Sequence, residues 1–137
     1  MSHKELIEEL YKAFKSKDLK ALTDICSPEI VWKQNPGFPG GGINYGVKDI
    51  MSNVFIANAD RWDYFAFEIE NITALGDIVL VQGHYIVQSE KAKEKTYSQT
   101  AHVFTIENQK VTAFQQYCDT KVLWDNYKGS IQHETVL

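Results

Sequence analysis

The run from Thr96 to Asp119 constrains the fold more than any other part of the chain, because two β-type segments there are separated by one tight turn. Glu107-Asn108-Gln109-Lys110 joins stretches rich in Val, Phe, Thr and Tyr, and a two-residue loop at Asn108-Gln109 pairs Glu107 with Lys110. Counting outward in strict alternation sets His102 opposite Gln115, Thr100 opposite Tyr117 and Ser98 opposite Asp119, with all six side chains on one face. Phe104 and Ala113 continue that face. Apolar residues at one end, with a donor, an acceptor, an imidazole and a carboxylate at the other, have the composition of a small-molecule pocket.

Upstream of this hairpin the chain reads first as helices and then as strands. Ser2 and Glu5 make a capping box ahead of Leu6, Ile7, Leu10, Tyr11 and Phe14, which recur at helical spacing. Asp18 caps a second short helix carrying Leu19, Leu22 and Ile25, which Pro28 stops. Glu29 to Gln34 is a short strand with Ile30 and Trp32 on one side. The Pro/Gly-dense loop from Asn35 to Gly42 lacks the spacing of a phosphate cradle and is expected as a pocket rim or a wide turn. Val47, Ile50, Met51, Val54 and Phe55 mark a third helix to about Asp60.

From Trp62 the period changes to two, with Phe65, Phe67 and Ile69 alternating with Ala66, Glu68 and Glu70, and further strands follow over 78–88, 96–106 and 111–119. Three helices with a short strand among them, then an antiparallel meander, make an α+β design with helices laid on one sheet face. A chain of 137 residues suits a single domain, here 1–137.

Charge and cysteine usage narrow the function. A net charge of −4 and a single arginine, Arg61, argue against a surface that tracks nucleic-acid phosphates. Lys91, Lys93 and Lys95 are interleaved by Glu90 and Glu94, as in a solvated loop. Cys26 and Cys118 stand apart with no metal-ligand spacing, and no stretch reads as a leader or a membrane span, so a cytoplasmic protein is expected. Neither a metal nor a cofactor is expected.

Trp32, Pro36, Gly37, Tyr45-Gly46 opening a helix, Gly76-Asp77 before a strand, Ala101-His102-Val103-Phe104 and Gln116-Tyr117-Cys118-Asp119-Thr120 together resemble the SnoaL-like branch of the ketosteroid-isomerase superfamily. The resemblance covers nearly the whole chain. It implies a cystatin-like cone, in which the N-terminal helices pack into the hollow of a strongly curved, mainly antiparallel sheet whose outer face often dimerises. It also implies an acid/base aspartate on the last strand, a position held here by Asp119. The carboxylate that ketosteroid isomerases carry after the second helix is missing, since Lys33, Gln34 and Asn35 stand there, and the helix-one tyrosine of that family is approximated by Tyr11.

The expected site therefore has Asp119 moving a proton, His102 and Tyr117 stabilising an enolate oxygen, and Gln115 orienting the substrate. Thr100, His84, Trp32, Tyr11, Phe104 and Phe55 complete the expected ligand contacts. Asp119 has a competing role, because Leu123, Trp124 and Tyr127 follow at helical spacing and the aspartate can cap that helix. His84 shares the parity of Leu80, Gln82 and Ile86, and the register of its strand is left open. Val79, Val81, Tyr85 and Val87 form the other, apolar face of that strand. If that face lies outside the hollow, a homodimer would bury it. The function expected is a pocket for a small apolar carbonyl compound, in an isomerase, aldol-type cyclase or dehydratase, with a non-catalytic binding module as the alternative.

Overall fold

The computed structural model describes residues 1–129. Residues 130–137 of the domain expected over 1–137 lie outside the described residues. Helix α1 (His3–Ser16) starts as its sequence demands: the Ser2 hydroxyl accepts from the Glu5 amide at 3.1 Å, and the Glu5 carboxylate accepts from the Ser2 amide at 2.8 Å. Its Leu6, Ile7, Leu10, Ala13 and Phe14 form one buried stripe. Helix α2 (Leu19–Ile25) is capped by Asp18, whose carboxylate accepts from the Ala21 amide at 3.1 Å.

Strand β1 (Cys26–Gln34) begins earlier than expected and contains Pro28. A short strand β2 (Gly42–Tyr45), which no sequence pattern indicated, pairs with it from the end of the Asn35 to Gly42 loop; four residues are too few to show a period. The third helix is a continuous rod of three pieces, α3 (Gly46–Ile50), a π-helical turn (Met51–Ile56) and α4 (Ala57–Arg61). Then come β3 (Tyr64–Leu75), β4 (Ile78–Gln88), β5 (Thr96–Glu107), β6 (Lys110–Cys118) and the closing helix α5 (Thr120–Lys128). No described helix is long and apolar enough to cross a membrane.

The six strands of the described residues form one curled sheet in the order β2-β1-β6-β5-β4-β3. Among the described residues only β1 and β6 run parallel, and every other ladder is antiparallel. The helices fill the concave side, where α1, α2 and the third helix share one apolar core with Trp32, Val79, Val81, Phe104, Ile106, Val111 and Phe114. A second, smaller cluster joins Phe38, Trp62, Tyr85, Val87 and Leu123 beneath α5. Phe38 carries the Pro/Gly loop into this cluster, and the Trp124 indole donates to the Gly37 carbonyl at 2.6 Å, so the loop is a wide turn pinned under α5.

The β5–β6 turn falls where the sequence places it, with Glu107 paired to Lys110 and positive φ at Asn108 and Gln109 (52° and 61°). The register beyond it does not follow strict alternation. Ile106 faces Val111, but Thr105 already faces Ala113, leaving Thr112 as the extra residue of a β-bulge. One inserted residue turns the rest of β6 over, so His102 pairs with Gln116, Ala101 with Tyr117 and Thr100 with Cys118. Gln115, Tyr117 and Ala113 therefore leave the face of His102 and point outward. The cause lies in the core: Val111 and Phe114 are both buried, three residues apart, which an unbroken strand does not allow.

The same alternation decides which face of β4 lies outside, a point its sequence left open. Val79, Val81, Tyr85 and Val87 point into the core, and His84 points outward with Gln82 and Leu80. Gly83 lets β3 approach β4 at a second bulge, since a Cβ there would lie 2.1 Å from the Glu68 carbonyl oxygen.

Gln109 occupies the left-handed region that glycine adopts without strain, so Gln109→Gly should raise the unfolding free energy in urea by about 0.5–1 kcal/mol. A lower midpoint at unchanged slope would contradict the turn geometry.

Candidate functional site

A cavity of about 740 Å³ opens between α1, the π-helical turn and β3. Tyr11 and Phe14 of α1 form one wall, Phe55 of the π turn another, and Phe65, Phe67, Ile69 and Ile72 of β3 the third. Glu8, Lys12 and Lys15 stand at its solvent edge, because i, i+3, i+4 and i+7 share one side of a helix. The rings are ordered rather than merely close. Phe14 and Phe55 stack at 3.9 Å and 11°, and Tyr11 lies over Phe67 at 5.9 Å and 20°.

Tyr11, which lines this aromatic cleft, also joins a buried chain of hydrogen bonds. The Tyr11 hydroxyl lies 2.7 Å from His102 Nδ1, and His102 Nε2 lies 2.8 Å from the Tyr85 hydroxyl. Gln116 Nε2 donates to the Tyr85 oxygen at 2.7 Å, and Gln116 Oε1 accepts from the Asn35 amide at 3.0 Å. The ring of His102 also stacks on Phe67 at 4.3 Å. Four elements position these groups: α1, β4, β5 and β6. Gln116 reaches the interior only because of the Thr112 bulge.

Burial sets the charge state. His102 is 4% exposed, and loss of hydration pulls its pKa from 6.5 to about 3, so the imidazole is neutral at physiological pH. Burial first, and the neighbouring Tyr85 second, hold the Tyr11 phenol well above its ordinary value. Burial does the same to Tyr85. The site is thus an uncharged hydrogen-bonding relay under an apolar cleft, with its formal charges at the rim.

The expected residues divide into three groups. Tyr11 and Phe55 line the cavity, and His102 lies directly behind Tyr11. Trp32, Phe104 and Thr100 face the interior but are core residues: Trp32 stacks on Phe114 at 3.7 Å, Phe104 is fully buried, and Thr100 donates to the Ser98 carbonyl at 2.8 Å. Gln115, Tyr117, His84 and Asp119 lie away from the hollow. Tyr117 is 55% exposed, and His84 sits between Glu68 (3.1 Å) and Glu70 (2.7 Å) on the outer face. Asp119 is exposed and caps α5, accepting from the Lys121 amide at 3.2 Å.

A shallower outer concavity of about 410 Å³ lies among Glu70, Gln82, Gln99, Tyr117 and Asp119. Strict alternation missed Tyr85, Gln116 and Phe67 as site residues. The irregular spacing of Val111 and Phe114 was the available signal for Gln116. Among the described residues no group of three or more His, Cys, Asp or Glu side chains is placed to hold a metal ion.

The model of the family described as SnoaL-like domain matches residues 7–114. Among solved structures, the chain is similar to an NTF2-like protein from Burkholderia thailandensis at 25% identity and a TM-score of 0.81, covering 89% of this chain and 94% of that one. It is similar to TerC co-crystallised with polyporic acid at 21% identity and a TM-score of 0.77, covering 90% and 96%. A protein with a cystatin-like fold from Xanthomonas campestris follows at 18% identity and a TM-score of 0.76, covering 94% and 99%. No curated protein matches the sequence.

The buried neutral histidine has a thermodynamic consequence. Between pH 6.5 and about 3 the unfolded chain holds a proton at His102 that the folded chain refuses, so stability falls as pH drops through that window. Its slope should reach the order of 1 kcal/mol per pH unit. Urea unfolding of the wild type and of His102→Gln checks this, since the variant should show a shallower acid dependence; parallel pH profiles would contradict it.

Proposed function

The chain belongs to the SnoaL-like family, and we propose that it binds a small, flat, largely apolar carbonyl compound in the cleft between α1 and β3 and moves a proton on it without a cofactor. The supporting observation is the pairing of an aromatic-walled cavity of about 740 Å³ with a single hydroxyl, Tyr11, held by a buried neutral histidine. The carbonyl oxygen of the ligand meets Tyr11 while its rings lie against Phe55 and Phe67. As a proton leaves the carbon beside the carbonyl, charge grows on that oxygen and the Tyr11 hydrogen bond strengthens. Glu8, three residues before Tyr11 on the same side of α1, is the carboxylate lining the cavity and takes the proton. Isomerisation, aldol-type cyclisation and dehydration all begin with this step. In this reading His102 acts through Tyr11, which it holds, rather than on the enolate oxygen as expected, and Asp119 and Tyr117 take no part in the chemistry. Co-crystallisation of TerC with polyporic acid supports a small-molecule role for the fold.

A binding module without catalysis is the second reading. It draws support from the polar residues buried in the described interior, which include Gln34, Thr100, His102 and Gln116 but no carboxylate.

We also propose a homodimer through the outer sheet face, where Ile43, Tyr45 and Tyr117 are exposed. Sedimentation velocity should show a mass that rises with concentration, and a constant monomer mass would count against the dimer.

The ligand 2-acetylnaphthalene provides one probe for both readings. It should bind saturably by calorimetry. Ile69→Trp, which fills the cavity from a half-exposed position, should weaken it by roughly tenfold or more, while Tyr117→Ala on the outer face should leave it unchanged. Exchange of its methyl protons into D2O faster than in buffer, lost in Glu8→Gln, identifies an enzyme. Binding without exchange identifies a module. Equal binding by Ile69→Trp and the wild type would overturn the site.

A further inference from the structure

We infer that the buried amide of Gln116 fixes the direction of every proton in the relay, and thereby makes the Tyr11 hydroxyl an obligatory hydrogen-bond donor to the occupant of the cavity. Gln116 is then a positioning residue that selects ligands presenting an acceptor, such as a ketone or quinone oxygen. The ligand preference rests on the cavity being the binding site; the proton direction does not.

The direction follows link by link from a backbone group that can only donate. The Asn35 N–H lies 3.0 Å from the Gln116 side chain, so the oxygen of that amide must face it. The amide nitrogen is thereby turned to the Tyr85 hydroxyl, 2.7 Å away, and donates to its oxygen. Tyr85 is buried, and its other partner among the described residues is His102 Nε2 at 2.8 Å, so the Tyr85 O–H has one acceptor to use.

Nε2 must therefore be the unprotonated nitrogen. The imidazole carries one proton because burial keeps it neutral, and that proton is on Nδ1. Nδ1–H donates to the Tyr11 oxygen at 2.7 Å. The Tyr11 hydrogen is left without an acceptor among the described residues, and Tyr11 lines the cavity. The reverse arrangement would leave the Tyr85 O–H fully buried with nothing to donate to, the costlier of the two outcomes. Each group offers what the next one lacks, and a backbone amide on the loop after β1 thus decides the polarity of a hydroxyl on α1.

The direct test is the tautomer of His102, read from side-chain nitrogen chemical shifts of histidine-labelled protein and assigned by its loss in His102→Gln. The wild type should show Nδ1 protonated and Nε2 unprotonated. Gln116→Glu replaces the donor with an acceptor, so Tyr85 should donate to the carboxylate and the proton should move to Nε2. A wild-type Nε2–H tautomer overturns the inference, and because that result needs no variant, it stands whether or not Gln116→Glu folds.

For ligand preference, the matched probes are 2-acetylnaphthalene and 2-isopropenylnaphthalene, which differ in replacing C=O by C=CH2. The ketone should bind roughly tenfold more tightly to the wild type, with the difference lost in Tyr11→Phe. Equal affinities in the wild type would overturn the selectivity. If neither probe binds while the Nδ1–H tautomer is found, the relay direction stands and the cavity reading fails, so the two failures are distinguishable.

Discussion

A histidine taken out of water and held at both ring nitrogens by tyrosines is the interaction around which this molecule is arranged. His102 sits on β5 at the bottom of the curled sheet, with Tyr11 arriving from α1 and Tyr85 from β4. Burying an imidazole with either nitrogen unpaired would be costly, and the relay avoids that cost by ending on a backbone amide. Helix, sheet and loop are thereby tied at one point. Tyr11, an uncharged hydroxyl-bearing residue, lines the aromatic cleft above the relay. The neutrality of the relay and the charges of Glu8, Lys12 and Lys15 at the rim divide the site into a dry end and a wet end, the arrangement expected for a ligand that is mostly apolar with one polar terminus.

The Thr112 bulge decides which residues belong to that relay. Without it, β6 would present Gln115 and Tyr117 to the hollow and Gln116 to solvent. With it, Val111 and Phe114 both reach the core, and Gln116 closes the relay. Asp119 is left at the sheet margin, where it starts α5. The cap also serves the site at a distance, because α5 holds Trp124 against the Gly37 carbonyl and packs Leu123 into the cluster containing Tyr85.

Much of the fold was legible from local patterns that carry their own physical cause. The Ser2–Glu5 capping box, the apolar stripe of α1 and the Asn108-Gln109 turn required no knowledge of distant contacts, and each stands where the pattern put it. The family resemblance over nearly the whole chain pointed to the cone. The site was legible only in part. Tyr11, Phe55 and His102 come together, but the relay depends on tertiary register, which period-two counting cannot carry across a bulge. The spacing of Val111 and Phe114 held the warning, since both are apolar and neither parity accommodates them together. Tyr85 was hidden for a different reason: read with Val79 and Val81, it looked like one more apolar residue, and nothing local distinguishes a core tyrosine from one whose hydroxyl completes a network. Strand β2 was too short to register at all.

The occupant of the aromatic cleft can be located directly by intermolecular NOEs between unlabelled 2-acetylnaphthalene and carbon-13-labelled protein. Placement of the ligand oxygen at Tyr11 requires contacts from the naphthalene protons to the rings of Phe55 and Phe67 and from the acetyl methyl to the Tyr11 ring. Contacts instead to Tyr117, Gln82 and Gln99, in the concavity of the outer face, would contradict that placement.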